Sequence, residues 1–220
     1  MKYISVVCLF FLTGCITYKS YINNDMICQF DMTIAEGEKK FDVQKYKNLQ
    51  ELHQIDSSNF ILKIYKYPGN QGYVVDKTDK QSKVSKIIRY SINGSIKHVY
   101  FQPLKGGFEI GQETYYDSLG NITQVIDHRQ ADKYPICYKE ALLIAEKLKS
   151  KKDSILSIDR GRKINSTGDT LYYWDVCIEE PKPDKDEPTL GDAWIYRIDA
   201  QTGKLLRKMQ LIQGHDDTAP

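Results

Sequence analysis

Cysteine and histidine are the residues of this chain best suited to covalent or metal chemistry, five of the first and four of the second in 220 residues. The histidines are His53, His98, His128 and His215. No two stand four apart, the spacing that sets two imidazoles on one helix face for a metal. Each is read as a surface or packed histidine, with His98 on a strand and His215 in the polar run Gly214-His215-Asp216-Asp217. The sequence has no Gly-x-Ser-x-Gly turn to expose a hydrolase serine. It also has no Gly-x-x-x-x-Gly-Lys-Ser/Thr loop to cradle phosphate, and Gly106-Gly107 near Gly111 reads as a turn. These residues are read as those of a non-enzyme with no cofactor and no metal.

The N-terminus carries a different chemistry. Lys2 supplies a positive charge, and Tyr3 to Leu12 is almost wholly apolar. That is a secretory signal pattern, too short for a spanning helix of about 20 apolar residues. Leu12-Thr13-Gly14-Cys15 follows and resembles the lipobox of bacterial lipoproteins. The resemblance implies cleavage between Gly14 and Cys15, loss of residues 1–14, and acyl chains on Cys15 as a membrane anchor. At about 0.8 kcal/mol per buried CH₂, several chains hold a protein where one would not. Ile16 is not the Asp that keeps some lipoproteins in the inner membrane, so the resemblance implies the outer membrane of a diderm bacterium. Residues 15–40 are read as the lipidated Cys and a tether.

The elements that would position any site begin near Phe41. Asp42 stands as an N-cap before Tyr46, Leu49 and Leu52 at helical spacing. From Asn59, short runs of β-branched and aromatic residues predict strands over 60–67 and 72–77. Asn93-Gly94 separates two alternating runs and predicts a hairpin with a type I′ turn, which needs positive φ at both central positions. Ile88, Tyr90 and Ile92 would share a face of the first strand. Ile96 would lie on the second, with His98 and Tyr100 on its face. A second hairpin joins residues 107–116 to 122–127 through Asp117 and Gly120. The run Tyr115-Tyr116-Asp117-Ser118-Leu119-Gly120-Asn121-Ile122 resembles the hairpin unit of MORN-like and antitoxin-type repeats. Ser91 to Ile96 resembles a second, degenerate copy. Two copies of a repeat and two unrelated hairpins of one sheet both fit. Residues 41–130 thus read as an antiparallel β-meander domain.

Residues 131–213 read as a second domain. Residues 134–151 predict a helix with Pro135 in its first turn, an apolar stripe through Ile136, Ala141, Ile144, Ala145 and Leu148, and lysines at its end. Strands follow over 154–159, 171–179, 193–199 and 205–211, with Trp174, Val176 and Ile178 on one face. Asp199 and Gly203 turn the last pair. Arg197–Leu206 (RIDAQTGKLL), with Lys139–Leu148 (KEALLIAEKL) ahead of it, resembles the PepSY domain. That implies a helix packed on a small antiparallel sheet, and a peptidase-modulating role. The whole is α+β. The acidic, Pro-containing run between Glu179 and Asp192 departs from that family and reads as an exposed loop without calcium-loop spacing. Residues 214–220 read as a disordered tail.

These elements bear on the remaining thiols, Cys28, Cys137 and Cys177. Export would make a disulfide available to them. Cys137 falls on the helix's apolar side, and Cys177 shares a strand face with Tyr173, opposite Trp174. If the Trp174 face meets the helix, a 137–177 bridge is hard to close, while Cys28 could reach Cys177. Buried free cysteines are the preferred reading, and a thiol nucleophile served by His128 has no support.

Composition narrows the function. With 31 basic and 29 acidic residues, net charge +2, the chain lacks the basic excess of a nucleic-acid binder. Its 16 Tyr, 7 Phe and 2 Trp are too many for general disorder. The expectation is a lipid-anchored, non-catalytic binding or regulatory protein of the cell envelope, with an unknown protein partner such as a peptidase. The alternative is an immunity-type or surface interaction protein using its hairpin ladder.

Overall fold

Alternating apolar and polar residues between His53 and Asp127 pair as seven strands in chain order. They are β1 (His53–Asp56), β2 (Phe60–Lys66), β3 (Tyr73–Asp79), β4 (Val84–Tyr90), β5 (Ile96–Pro103), β6 (Ile110–Tyr116) and β7 (Ile122–Asp127). The computed structural model describes residues 25–67, 69, 71–181 and 192–211. Each strand is antiparallel to the next. A four-stranded sheet of order β11-β10-β9-β8 is formed by β8 (Ser154–Ile164), β9 (Thr170–Glu179), β10 (Ala193–Asp199) and β11 (Leu205–Leu211). The α-helices among the described residues are α1 (Val43–Tyr46) and α2 (Tyr138–Leu148). The fold is therefore mostly antiparallel sheet with few helices. The described residues divide into two compact units, Phe30–Gln130 with Leu156–Arg160, and Ala131–Ile155 with those of 25–29 and 161–211.

In the meander unit one sheet face carries the larger apolar core. Ile64, Tyr73, Ile88, Tyr90, Val99, Phe101 and Ile110 are buried there, in register across the strands. The segment before α1, assigned to the tether from sequence, lies against this face. Phe30 and Phe101 rings are 5.4 Å apart, and Phe41 stacks on Tyr73 at 4.5 Å. Lys86 Nζ donates to Glu38 at 2.7 Å and to the Thr33 carbonyl at 3.0 Å, and Tyr90 OH donates to the Glu38 carbonyl at 2.6 Å. Asp42 does cap α1, accepting from Lys45 N at 3.0 Å, but the helix runs for only four residues.

The first hairpin does not close as a type I′ turn. Ser91 N donates to Ser95 O and Gly94 N to Ser91 O. Among the described residues other than glycine, only Lys83 and Gln130 have positive φ, so Asn93 does not adopt it. The turn is the longer form, in which two ordinary residues precede a left-handed glycine and a bulge. Gly94 (φ +86°) takes that position, and a Cβ there would lie 2.5 Å from the Phe41 carbonyl oxygen. Gly94→Ala is expected to cost about 1–2 kcal/mol, read as a shift of the urea midpoint. Ile92 is accordingly exposed in the turn rather than on the strand. The accompanying register shift, between Arg89 and Tyr90, sets Ile96 opposite Tyr90 but His98 opposite Arg89. Ile96 and His98 therefore face opposite sides of the sheet, where the alternating pattern put them on one. Asp117–Asn121 and Asn165–Asp169 close with the same pair of backbone bonds, around Gly120 and Gly168.

In the other unit α2 is shorter than its apolar stripe suggests. Residues Tyr134–Cys137 stay outside it because tertiary contacts claim them. The Tyr134 ring meets Trp174 at 5.1 Å, and Trp174 Nε1 donates to the Ile136 carbonyl at 2.8 Å. Cys137 is the extended N-cap (ψ 170°), and Lys149 (ψ 160°) ends the helix. Strand β8 runs past the expected Asp159 through a Gly161 that lies beneath the Tyr173 ring. Trp174, Val176 and Ile178 are buried, as their alternation predicts.

Candidate functional site

The second face of the meander packs polar and aromatic residues around a small apolar cluster of Val74, Ile87 and Tyr100. Cross-strand pairing aligns Val74 with Arg89, and Arg89 with His98. It also aligns Asp76 with Ile87 and Ile87 with Tyr100, and His98 with Tyr115. The rings stack both along β5 and across to β6. Arg89 lies 5.1 Å from the Tyr67 ring and 5.2 Å from the Tyr100 ring. His98 stacks between Tyr100 at 4.8 Å and Tyr115 at 4.3 Å. Contacts of this kind, summed across neighbouring strands, specify the face.

The strip ends on a buried carboxylate. Glu113 Oε1 is 2.6 Å from His98 Nε2 and accepts from Tyr115 OH at 2.8 Å. Its Oε2 is 2.6 Å from His128 Nε2. Glu113 is 8% exposed, so these partners decide its charge state. Burial opposes its ionisation, but the bonds from His128, Tyr115 and His98 together prevail and hold its pKa below the usual carboxylate value. A carboxylate only accepts, so Nε2 of each imidazole carries the proton that faces it. For His98 burial is the larger influence, outweighing the Glu113 bond, and its pKa falls below that of a free histidine. The bond to Glu113 leads the influences that raise the pKa of Tyr115.

Backbone irregularity places this cluster. Opposite the single residue Tyr100 on β5, strand β6 has Gly111, Gln112 and Glu113. Gly111 takes φ +65°, and its carbonyl accepts from His128 N at 2.8 Å. Bulges re-aim side chains in this way. Arg160 closes the end, donating to the Glu109 carbonyl at 2.6 Å and the His128 carbonyl at 2.8 Å. Beside the cluster, β7 is the outermost strand of its sheet. Its outward side chains are open to solvent, with Ile122 61% and Val125 50% exposed.

Both ionisations act on stability in the same direction. With its folded pKa lowered, His98 takes up a proton in the unfolded chain first, so stability falls as pH drops below about 6.5. Glu113 withdraws a further share as pH falls through its depressed folded pKa. Melting temperature is expected to fall between pH 7.5 and 5.5, and to fall less in His98→Gln.

Of the residues singled out from sequence, Gly14 and Cys15 lie outside the described residues, as do His215 and most of the acidic loop. Asn93 with Gly94, Asp117 with Gly120, and Asp199 with Gly203 sit at three separate turns, and none joins the Glu113 cluster. Asp117 Oδ1 accepts from Leu119 N and Asn121 N at 2.8 and 2.9 Å. Asp199 Oδ1 accepts from Gln201 N and Thr202 N at 2.8 and 2.7 Å. His53 is exposed on β1, with its ring 5.8 Å from that of Tyr46. The structure brings together His98 and His128, two histidines whose spacing of thirty residues offered no reason to pair them. It adds Glu113, Tyr115 and Arg89; only Arg89 carried a signal, a guanidinium between the buried Ile88 and Tyr90. The thiols also differ from expectation. Cys28 and Cys137 form a disulfide with Cα atoms 6.3 Å apart, inside the usual range, and among the described cysteines Cys177 lies outside the bridge.

The described chain is an antiparallel, sheet-dominated protein of two units, with a carboxylate–histidine cluster beside an open sheet edge. No family model, no curated protein and no solved structure matches it. Among the described residues no helix is long and apolar enough to cross a membrane.

Proposed function

We propose that the chain is a lipid-anchored, non-catalytic binding protein of the cell envelope that receives an extended partner segment on β7. The observation that carries the binding reading is this edge. It has no Lys, Arg or Pro, the residues that usually guard a free edge. Edge strand β11, by contrast, carries Arg207 and Lys208. A peptide added to β7 would gain main-chain hydrogen bonds, with side-chain choice made by Ile122 and Val125. The Glu113 cluster supports the reading by holding the end of β7, since its bonds consume the carboxylate within the protein.

The anchor rests on the Met1–Cys15 pattern. A PepSY-like reading of residues 134–212 rests on the helix motif, the run of four strands and the Asp199–Gly203 turn, and it makes a peptidase the first partner to test. The recurring turn closure at Ser91–Ser95 and Asp117–Asn121 favours the alternative, an immunity-type interaction protein.

Two measurements test this. Cells fed labelled fatty acid are expected to label the protein, and Cys15→Ser to abolish the label. A photo-crosslinker at Gln124 is expected to capture an envelope protein, with capture at least tenfold weaker in Val125→Lys. Capture unaffected by Val125→Lys would remove β7 as the site.

A further inference from the structure

Cys28, Cys137 and Glu140 bring one ligand atom each to within 4.8 Å of one another, from two separate parts of the chain. Cys28 ends a single 3-10 turn, Asp25–Cys28. Cys137 is the N-cap of α2, and Glu140 lies one turn into it. The Glu140 carboxylate is fixed beside Cys137, accepting from its backbone N–H at 2.9 Å. The two cysteines are half-buried and Glu140 is buried.

We propose that the reduced protein binds a thiophilic divalent cation of the Zn²⁺ class between the Cys28 and Cys137 thiolates and the Glu140 carboxylate. A dithiol reductant gives the bridge two electrons and two protons, is itself oxidised to a disulfide, and leaves two thiols. The cation displaces both thiol protons to solvent, and Glu140 binds as the carboxylate. Tetrahedral zinc with Zn–S near 2.3 Å sets its sulfurs roughly 3.8 Å apart. The present Cα separation of 6.3 Å spans that with side-chain rotation. The positive end of α2 favours the thiolate form of Cys137. Two sulfurs and one oxygen suit zinc or cadmium better than magnesium or calcium, which take oxygen ligands. The site joins the same two segments in either redox state, by a bond when oxidised and by a bridging ion when reduced.

The test is a titration of the full chain with Cd²⁺ under argon, following the thiolate-to-cadmium charge-transfer band. A phosphine reductant opens the bridge without competing for metal, leaving as its oxide with oxygen from water. Reduced protein is expected to bind one equivalent, displaceable by Zn²⁺, and oxidised protein none. Cys28→Ser is expected to bind at least tenfold more weakly, and Glu140→Gln about tenfold. Cys15→Ser and Cys177→Ser are expected to bind as the parent does. Equal binding by oxidised and reduced protein would overturn the proposal, and that comparison needs no variant to fold. Loss of the band in Cys177→Ser, with Cys28→Ser unaffected, would overturn it too.

Discussion

Cys28→Ser is expected to lower the unfolding free energy of the oxidised protein by about 4 kcal/mol, the largest effect of any single change proposed for this chain. The bridge joins residues 109 apart. Cross-linking a loop of that length removes chain entropy from the unfolded state worth roughly 4–5 kcal/mol, against typical measured values of 2–4. The loop contains Phe30–Gln130, all of the meander unit except Leu156–Arg160. Both chain ends of the meander are thereby tied in the unfolded state. Urea unfolding without reductant, followed by far-ultraviolet circular dichroism, should show the loss in Cys28→Ser and in Cys137→Ser alike. Cys177→Ser should unfold like the parent, since Cys177 is outside the bridge. A parent protein that melts identically with and without reductant would contradict the expectation.

Glu113→Ala is expected to cost about 3 kcal/mol. The side chain accepts from three donors, on His98, Tyr115 and His128, all at 2.6–2.8 Å. Each buried donor left without an acceptor costs roughly 1–3 kcal/mol, and relaxation toward water recovers part of the sum. Glu113→Gln keeps one acceptor oxygen and should lose about half as much. A readout beyond stability separates the cluster from simple packing. Loss of the carboxylate removes the main partner that favours the charged form of His98, leaving burial and the Arg89 charge to oppose it against the smaller pull of Glu109. The His98 pKa, followed by NMR, should therefore fall further in Glu113→Gln, and should stay unchanged in Val125→Lys on the same edge.

Much of the fold was legible in the residues. Alternation located β9 and β10 closely, because these strands bury about one side chain in two against a core, while β7 and β11, which bury none, were legible from the turn residues that precede them. Asp117 and Asp199 were legible as turn residues because a short carboxylate can accept from the two or three N–H groups ahead of it. Strand β1 was not, since all four of its residues are exposed and it exists only by pairing with β2. Strand β8 was read short because Gly161 and its charged neighbours hide a strand that Tyr173 stabilises from across the sheet.

The candidate site was legible only in part. His98 could be placed on its strand, but not on its face, because the bulge at the Ser91–Ser95 turn reverses the side that alternation assigns. Glu113 could not be paired with either histidine while the two extra residues after Ile110 were unknown. Cys137 was assigned to the apolar side of a longer helix, whereas as the N-cap it is free of the helical stripe and turns to Cys28.

By itself the sequence determined the local matters: the antiparallel meander, the terminal hairpin and which residues turn the chain. Those follow from alternation, turn chemistry and short-range order, which act within a few residues. Tertiary structure alone decided which cysteines pair and which histidines share a carboxylate. Each depends on register across strands or on segments more than a hundred residues apart. A one-residue shift in a strand moves every side chain to the other face, and no local pattern records it.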